Sequence, residues 1–194
     1  MSTIKTNSKK PFGSSAVSHV ESAQGKRIEN SRQFFTNSAQ QTKMFAKNFA
    51  QELLKNAGHT QAIVLALQGD LGSGKTTFVQ GLAGGLGVKE KITSPTFVIL
   101  KRFKITNLKP KIENLKLESK NLNLLRFECF YHFDCYRIIK PEEILELGWQ
   151  EIINNPQNIV AVEWPERIKK FLPKQTHFLK FEFINETQRS VIVR

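Results

Sequence analysis

The chain has 194 residues, 40% hydrophobic and 24% charged, the proportions of one globular domain with appendages rather than two full domains. No apolar run nears the ~18 residues of a membrane-spanning helix, and two cysteines make no disulfide framework, so a stapled secreted scaffold is excluded and a reducing, cytoplasmic setting is expected. The net charge of +12 is uneven: residues 1–33 hold six Lys/Arg against two Glu, residues 101–126 eight against two, and residues 127–194 nine against ten acids.

Basic segments attract polyanions such as tRNA, although a charge run is more often plain solvated surface. Residues 1–33 read as a disordered basic extension, because Ser, Lys, Thr and Asn leave too little apolar surface to offset chain entropy. The extension has no acid before Glu21, as organelle transit peptides do not, but it is rich in Lys rather than Arg. The domain proper is expected over 34–194. A helix is predicted over 38–57, with Phe45, Phe49, Leu53 and Leu54 at helical spacing, Ser38 at its start and Gly58 at its end. The unbroken apolar run 62–67 is typical of a strand buried on both faces. Gly69 to Gly74 then form a loop, and a helix begins near Lys75 and stops at Gly84 to Gly87.

"SPTF" at 94–97 leads into a strand, "FVILKRF". Residues 104–123, rich in Lys and Asn, read as an inserted loop or hairpin extension. "LLRFECFYHFDCYR" is a long strand whose alternation sets His132 and Asp134 on one face and Cys129, Phe133 and Cys135 on the other. Pro141 fits the first turn of a helix over 141–154; a buried strand "IVAVEW", a helix near "PERIKKFL" and a closing pair, "HFLKFEF" and "RSVIVR", follow. Strands alternating with helices make an α/β three-layer domain whose central sheet is largely parallel, with antiparallel strands toward one edge.

Gly69, four residues, then Gly74, Lys75 and Thr76 match the P-loop pattern, in the strand-to-helix context it requires. Glycines let backbone N–H groups turn onto phosphate oxygens, and the helix that starts there adds its positive end. Lys75 is expected to reach the β and γ phosphates and Thr76 to bind Mg2+. A P-loop also needs a carboxylate after a buried strand, and both Glu163 and Asp134 stand at strand ends where ligands gather in open α/β sheets. Either one could hold the metal side or orient the attacking water. Ser94 and Thr96 have hydroxyls for sensing a γ phosphate, and Trp164 could stack on a base. Cys129, His132 and Cys135 are not read as a zinc site, since the histidine faces away from both cysteines and a fourth ligand is missing. No Asn-Lys-x-Asp element for guanine is present, so ATP is the expected nucleotide.

The ordered series "GDLGSGKTTFVQGL", "SPTF", "HFDCYR", "ELGWQE", "VEWPE" and a closing Arg-containing strand resembles the TsaE (YjeE) family, the P-loop ATPase of threonylcarbamoyladenosine biosynthesis, from about residue 34 to 194. The resemblance implies that Gly69, Asp70, Leu71, Gly72, Ser73, Gly74, Lys75, Thr76 and Thr77 cradle ATP. It implies that Thr76 and Glu163 bind Mg2+, that Asp134 is an essential acid, that Trp164 lies near the nucleotide, and that Thr42 corresponds to a nucleotide-reaching Thr of the first helix. Family members act with TsaD and TsaB, and TsaD modifies the adenosine beside the anticodon of tRNAs that read codons beginning with A. The tail and the 104–123 insertion lie outside the family's motifs and inherit no role. The competing reading is a P-loop small-molecule kinase, for which Arg102 and Arg126 are the candidate lid cations.

Overall fold

The computed structural model describes residues 25–28, 31–55, 59–93, 98–106 and 127–194. The expectations placed on residues 1–24, Gly58, Ser94, Thr96, Arg126 and 107–123 fall outside them. In chain order the elements are β1 (Gly25–Ile28), β2 (Ser31–Thr36), α1 (Ala39–Lys55), β3 (Ile63–Gln68), α2 (Lys75–Gly85), β4 (Leu100–Lys104), β5 (Cys129–Asp134), α3 (Glu143–Glu146), α4 (Trp149–Asn154), β6 (Asn158–Glu163), β7 (His177–Phe183) and β8 (Arg189–Val193).

Among the described residues, eight strands form one sheet in the order β1-β2-β8-β7-β3-β6-β5-β4. The four inner strands β7, β3, β6 and β5 run parallel, which gives the predicted α/β three-layer, P-loop NTPase architecture with a parallel centre. Antiparallel pairs flank that centre on both sides, β4 against β5 at one edge and β7-β8-β2-β1 at the other, where the sequence reading set them toward one edge. β3 and β6 are buried on both faces, and this is why their sequences read as apolar runs without alternation.

One core lies between the sheet and the α1–α2 pair. There Phe78 of α2 meets Phe45 and Phe49 of α1 and Phe181 of β7, with ring centroids 5.9, 5.8 and 5.4 Å away. The other face is covered by α3, α4 and the 3-10 segment Pro165–Phe171, around Trp149, whose indole Nε1–H donates to Phe171 O at 3.0 Å. Ser38 caps α1 as expected, its Oγ accepting Gln41 N–H at 3.1 Å while Gln41 Oε1 accepts Asn37 N–H at 2.7 Å.

Four sequence readings need correction. Residues 25–28 and 31–33, read as part of a disordered extension, are strand: β2 pairs with β8 over five positions, and Phe34 is 7% exposed against Phe45. The energy that orders this segment comes from a partner at the far end of the chain, invisible in local composition. Lys104, Ile105 and Thr106 of the expected insertion belong to the folded body, through the Lys104–Cys129 pairing, an Ile105 N–H to Glu128 O bond and a Thr106 hydroxyl bond to Gly87 O. The long strand ends at Asp134, whose side chain accepts Tyr136 N–H and starts a 3-10 turn, Cys135–Arg137. The single helix over 141–154 is two, divided at Gly148 with φ 74°.

α2 lies against α1 at a separation that only glycine permits. A methyl at Gly81 would stand 2.6 Å from Lys43 Cα and closer still to Lys43 O, and one at Gly85 would stand 2.7 Å from Ala50 Cβ. Gly84, on the same helix, has open space around it. Gly81→Ala is therefore expected to cost roughly 1–3 kcal/mol by forcing the helices apart, whereas Gly84→Ala gains about 0.4–1 kcal/mol by stiffening the unfolded chain. Urea unfolding of both variants checks the contrast.

Candidate functional site: a phosphate loop with a buried carboxylate partner

The loop leaves β3 at its carboxyl end. Gly69 has φ 143°, and a side chain there would collide with Phe181 O and stand 2.9 Å from Ser73 Oγ, so the loop starts where only glycine fits. Gly74, at φ 98°, delivers the chain into α2. Lys75 is 4% exposed, and its ammonium donates to Gly69 O at 2.6 Å and Asp70 O at 2.9 Å, with the Trp164 ring 4.2 Å beyond. The loop thus closes around its own cation.

One helical position later, Thr76 Oγ1 donates to the Glu163 carboxylate, 3.0 Å from Oε1 and 3.1 Å from Oε2. Glu163 ends β6 and is 3% exposed. Its Oε1 is also 2.9 Å from Nε2 of His132, a fully buried ring on β5. Asp134 stands directly across from Glu163 in the β5–β6 register. Period-two alternation sets Asp134 and His132 on the face toward α2, so that helix α2 and the ends of β5 and β6 converge on one point.

These groups open on a cleft of about 380 Å3. Of the residues proposed from sequence, Leu71, Gly72, Gly74, Lys75, Thr76, Thr77, Asp134, Glu163 and Trp164 line it, while Gly69, Asp70 and Ser73 build the loop behind. Thr42 does not line it: it is 2% exposed and its hydroxyl is 2.8 Å from Thr36 Oγ1 and donates to Ser38 O. The sequence reading gave no role to three residues found at the loop. Tyr136 and Arg137 line the cleft, Tyr136 with its ring 5.0 Å from that of Trp164. Arg189 reaches across from β8 to donate to Gly72 O at 3.3 Å while holding Asn185 O and Gln188 O of the β7–β8 turn. The first two lie inside the "HFDCYR" block and Arg189 in the closing Arg-containing strand, whose approach to the loop only the sheet reveals.

Trp164, with φ 59°, is the sole non-glycine residue at positive φ among those described. That strained turn rotates its ring over Lys75 directly after Glu163. Burial lowers the Lys75 ammonium from its ordinary value, opposed first by Glu163. Burial raises the Asp134 carboxyl, with the Glu163 charge adding to the shift, while the Tyr136 N–H, His132 and Lys75 oppose it. The Cys135 thiol is pushed up to about 12 by burial and is a protonated core group. Cys129 Sγ accepts from Arg102 Nε and Nη2 at 3.3 and 3.2 Å, well away from the cleft.

A glycine-rich loop between a buried parallel strand and a helix, with a helix-start Thr facing a strand-end carboxylate, defines a P-loop NTPase. Comparison with known proteins narrows the class. The model of the family "Threonylcarbamoyl adenosine biosynthesis protein TsaE" matches residues 36–191, and the chain belongs to this family. It is 35% identical over 154 residues to the tRNA threonylcarbamoyladenosine biosynthesis protein TsaE of Rickettsia typhi, covering 79% of this chain and 88% of the relative. It is 39% identical over 137 residues to that of Rickettsia prowazekii, covering 70% and 76%. Among solved structures, the crystal structure of Bacillus subtilus YdiB superposes with a TM-score of 0.57 at 25% identity, over 88% of this chain and 86% of that one. Family and fold together suggest nucleotide binding.

The raised Asp134 carboxyl has a signed consequence. A carboxyl whose folded value exceeds its unfolded value, ordinarily about 3.9, takes stability from the fold as pH rises through that interval and above it. Asp134→Asn keeps an acceptor for the Tyr136 N–H, so the variant is expected to melt above wild type at neutral pH, with the difference vanishing below the ordinary carboxylate range. Thermal melts as a function of pH measure it.

Proposed function

We propose that this chain is a Mg2+-dependent ATPase that acts with TsaD and TsaB. In this reading it supports formation of N6-threonylcarbamoyladenosine beside the anticodon of tRNAs reading codons that begin with A, in the cytoplasm. The observation that carries the reading is the Thr76–Glu163 bond, which joins the first turn of α2 to the end of β6 across 87 positions of sequence. An alcohol and a carboxylate at that spot are hard oxygen donors, the set that suits Mg2+ beside a nucleotide phosphate. The unpartnered Ser73 Oγ in the loop is a further polar atom for a ligand to satisfy.

Each residue then has a task. Thr76 and Glu163 would hold the metal, which would supply positive charge to offset that of the phosphates. Lys75 exchanges its two carbonyl partners for phosphate oxygens, bringing a positive charge to where charge builds in the transition state. Loop N–H groups and the start of α2 take the remaining oxygens. Asp134, with one oxygen held by Tyr136 N–H and its carboxyl raised, accepts a hydrogen bond from the attacking water as a base better matched to neutral pH than an ordinary Asp. Trp164 and Tyr136 form an aromatic pair at the cleft. Of the two candidate lid cations of the kinase alternative, Arg102 donates to Cys129, and Arg126 lies outside the described residues. Contact with tRNA, indirect or direct, is proposed through the basic segments, the N-terminal tail and the Lys-rich stretch that follows Leu100.

Lys75→Ala and Glu163→Ala are each expected to lower ATP hydrolysis roughly 100-fold or more and to abolish tRNA modification with it. Hydrolysis measured alone and with TsaD and TsaB, using γ-labelled ATP, is the decisive assay: label released as inorganic phosphate, with a rate raised by the partners, supports the reading. Label in an organic acceptor turns it to a kinase, and normal tRNA modification in cells carrying either variant overturns it. Because Lys75 leaves the Trp164 face when it engages phosphate, nucleotide is also expected to change tryptophan emission, and Trp164→Phe to remove that change.

A further inference from the structure

We infer that His132 is a positioning residue for the metal-side carboxylate, fixing the Glu163 side chain in the orientation in which it and Thr76 together hold a divalent cation. The inference rests on the proposed Mg2+-dependent nucleotide chemistry and adds a residue to it that the phosphate-loop logic does not require.

His132 sits opposite Ala161 in the β5–β6 register, two positions short of the Asp134–Glu163 pair, so its ring and the Glu163 carboxylate share the face toward α2. The ring is fully buried, as are the apolar rings of Phe130 and Phe133 on the same strand. An apolar side chain could fill such a place without desolvating two nitrogens. Nε2 is 2.9 Å from Glu163 Oε1, and Nδ1 is a buried atom with no hydrogen-bond partner. What the imidazole gains over a phenyl ring is therefore the one bond to Glu163.

The same geometry selects the tautomer. With the hydrogen on Nδ1, a buried N–H would be orphaned and two acceptors would face each other across 2.9 Å. With it on Nε2, the ring donates to Oε1 and leaves only a bare acceptor behind. Glu163 is thus gripped from two sides, by His132 from β5 and by Thr76 from α2. The Thr76 hydroxyl is a group that a cation competes for; the His132 N–H is not. Partners of this kind orient the ligand and raise its affinity for metal.

The test compares His132→Phe, which fills the space and removes the donor, with His132→Gln, whose amide returns an N–H near the Nε2 position. Mn2+ binding to the full-length chain loaded with a non-hydrolysable ATP analogue is followed by the electron paramagnetic resonance of free Mn2+, and nucleotide affinity is measured separately in EDTA. His132→Phe is expected to weaken Mn2+ binding by about 10-fold or more with metal-free nucleotide affinity unchanged, and His132→Gln to recover much of the loss. Wild-type Mn2+ affinity in His132→Phe overturns the inference, as does an equal loss of metal-free nucleotide binding, which would mark a packing role only. Should the Phe variant fail to fold, His132→Asn against His132→Gln makes the same separation, since the shorter amide reaches only toward the Nδ1 position; equal metal affinity in the two overturns it. Loaded wild-type protein that takes up no Mn2+ overturns the metal reading itself, a result distinct from all of these.

Discussion

A carboxylate with almost no access to water is the constraint around which this site is built. Glu163 ends the most deeply buried strand of the sheet, where an unpaired charge would cost on the order of several kcal/mol. The hydroxyl of Thr76 and the imidazole of His132 meet it, and Lys75 lies close enough to be influenced by its charge. These contacts tie the first turn of α2 to the ends of β5 and β6. The phosphate loop is therefore not a flexible appendage on the sheet: its exit helix is fastened to the strand beside it by the Thr76–Glu163 bond.

The parallel centre makes this economical. β3, β5 and β6 point their carboxyl ends the same way, so the loop after β3, Asp134 of β5 and Glu163 of β6 arrive together without any long side chain reaching for them. The antiparallel strands add a second support. β8 brings Arg189 to the loop's Gly72 carbonyl, and β7 presents Phe181 both to the core ring of Phe78 and to the backbone at Gly69.

Much of this was legible in the linear sequence, for physical reasons that differ by residue. The loop was readable because glycine, lysine and threonine at fixed offsets have few other uses between a buried strand and a helix. Glu163 and Asp134 stood out as charges closing apolar runs, and the capped start of α1 followed from Ser38. Other features stayed hidden wherever the cause lies across the sheet. β2 lacks a clean alternation and is ordered by β8, its partner near the other end of the chain. Thr42 was assigned to the nucleotide by the family resemblance alone, and its hydroxyl bonds Thr36 and Ser38, contacts that no local pattern announces. His132 was weighed only as a zinc ligand and set aside; that it faces away from the cysteines was the useful half of the argument, because the other side holds Glu163. The break at Gly148 was missed because helical spacing continues through it.

The glycine contact between α1 and α2 bears on how this protein tolerates change. The atoms that stand in the way of a side chain at position 81 are the main-chain carbonyl and Cα of Lys43, which no substitution at position 43 removes. A search for compensating mutations at the facing residues should therefore come back empty at Gly81, and only displacement of a whole helix relieves the strain. Since α2 also carries Lys75 and Thr76, such a displacement moves the phosphate loop with it. The spacing of two helices and the placement of the phosphate loop are thus inherited as one unit.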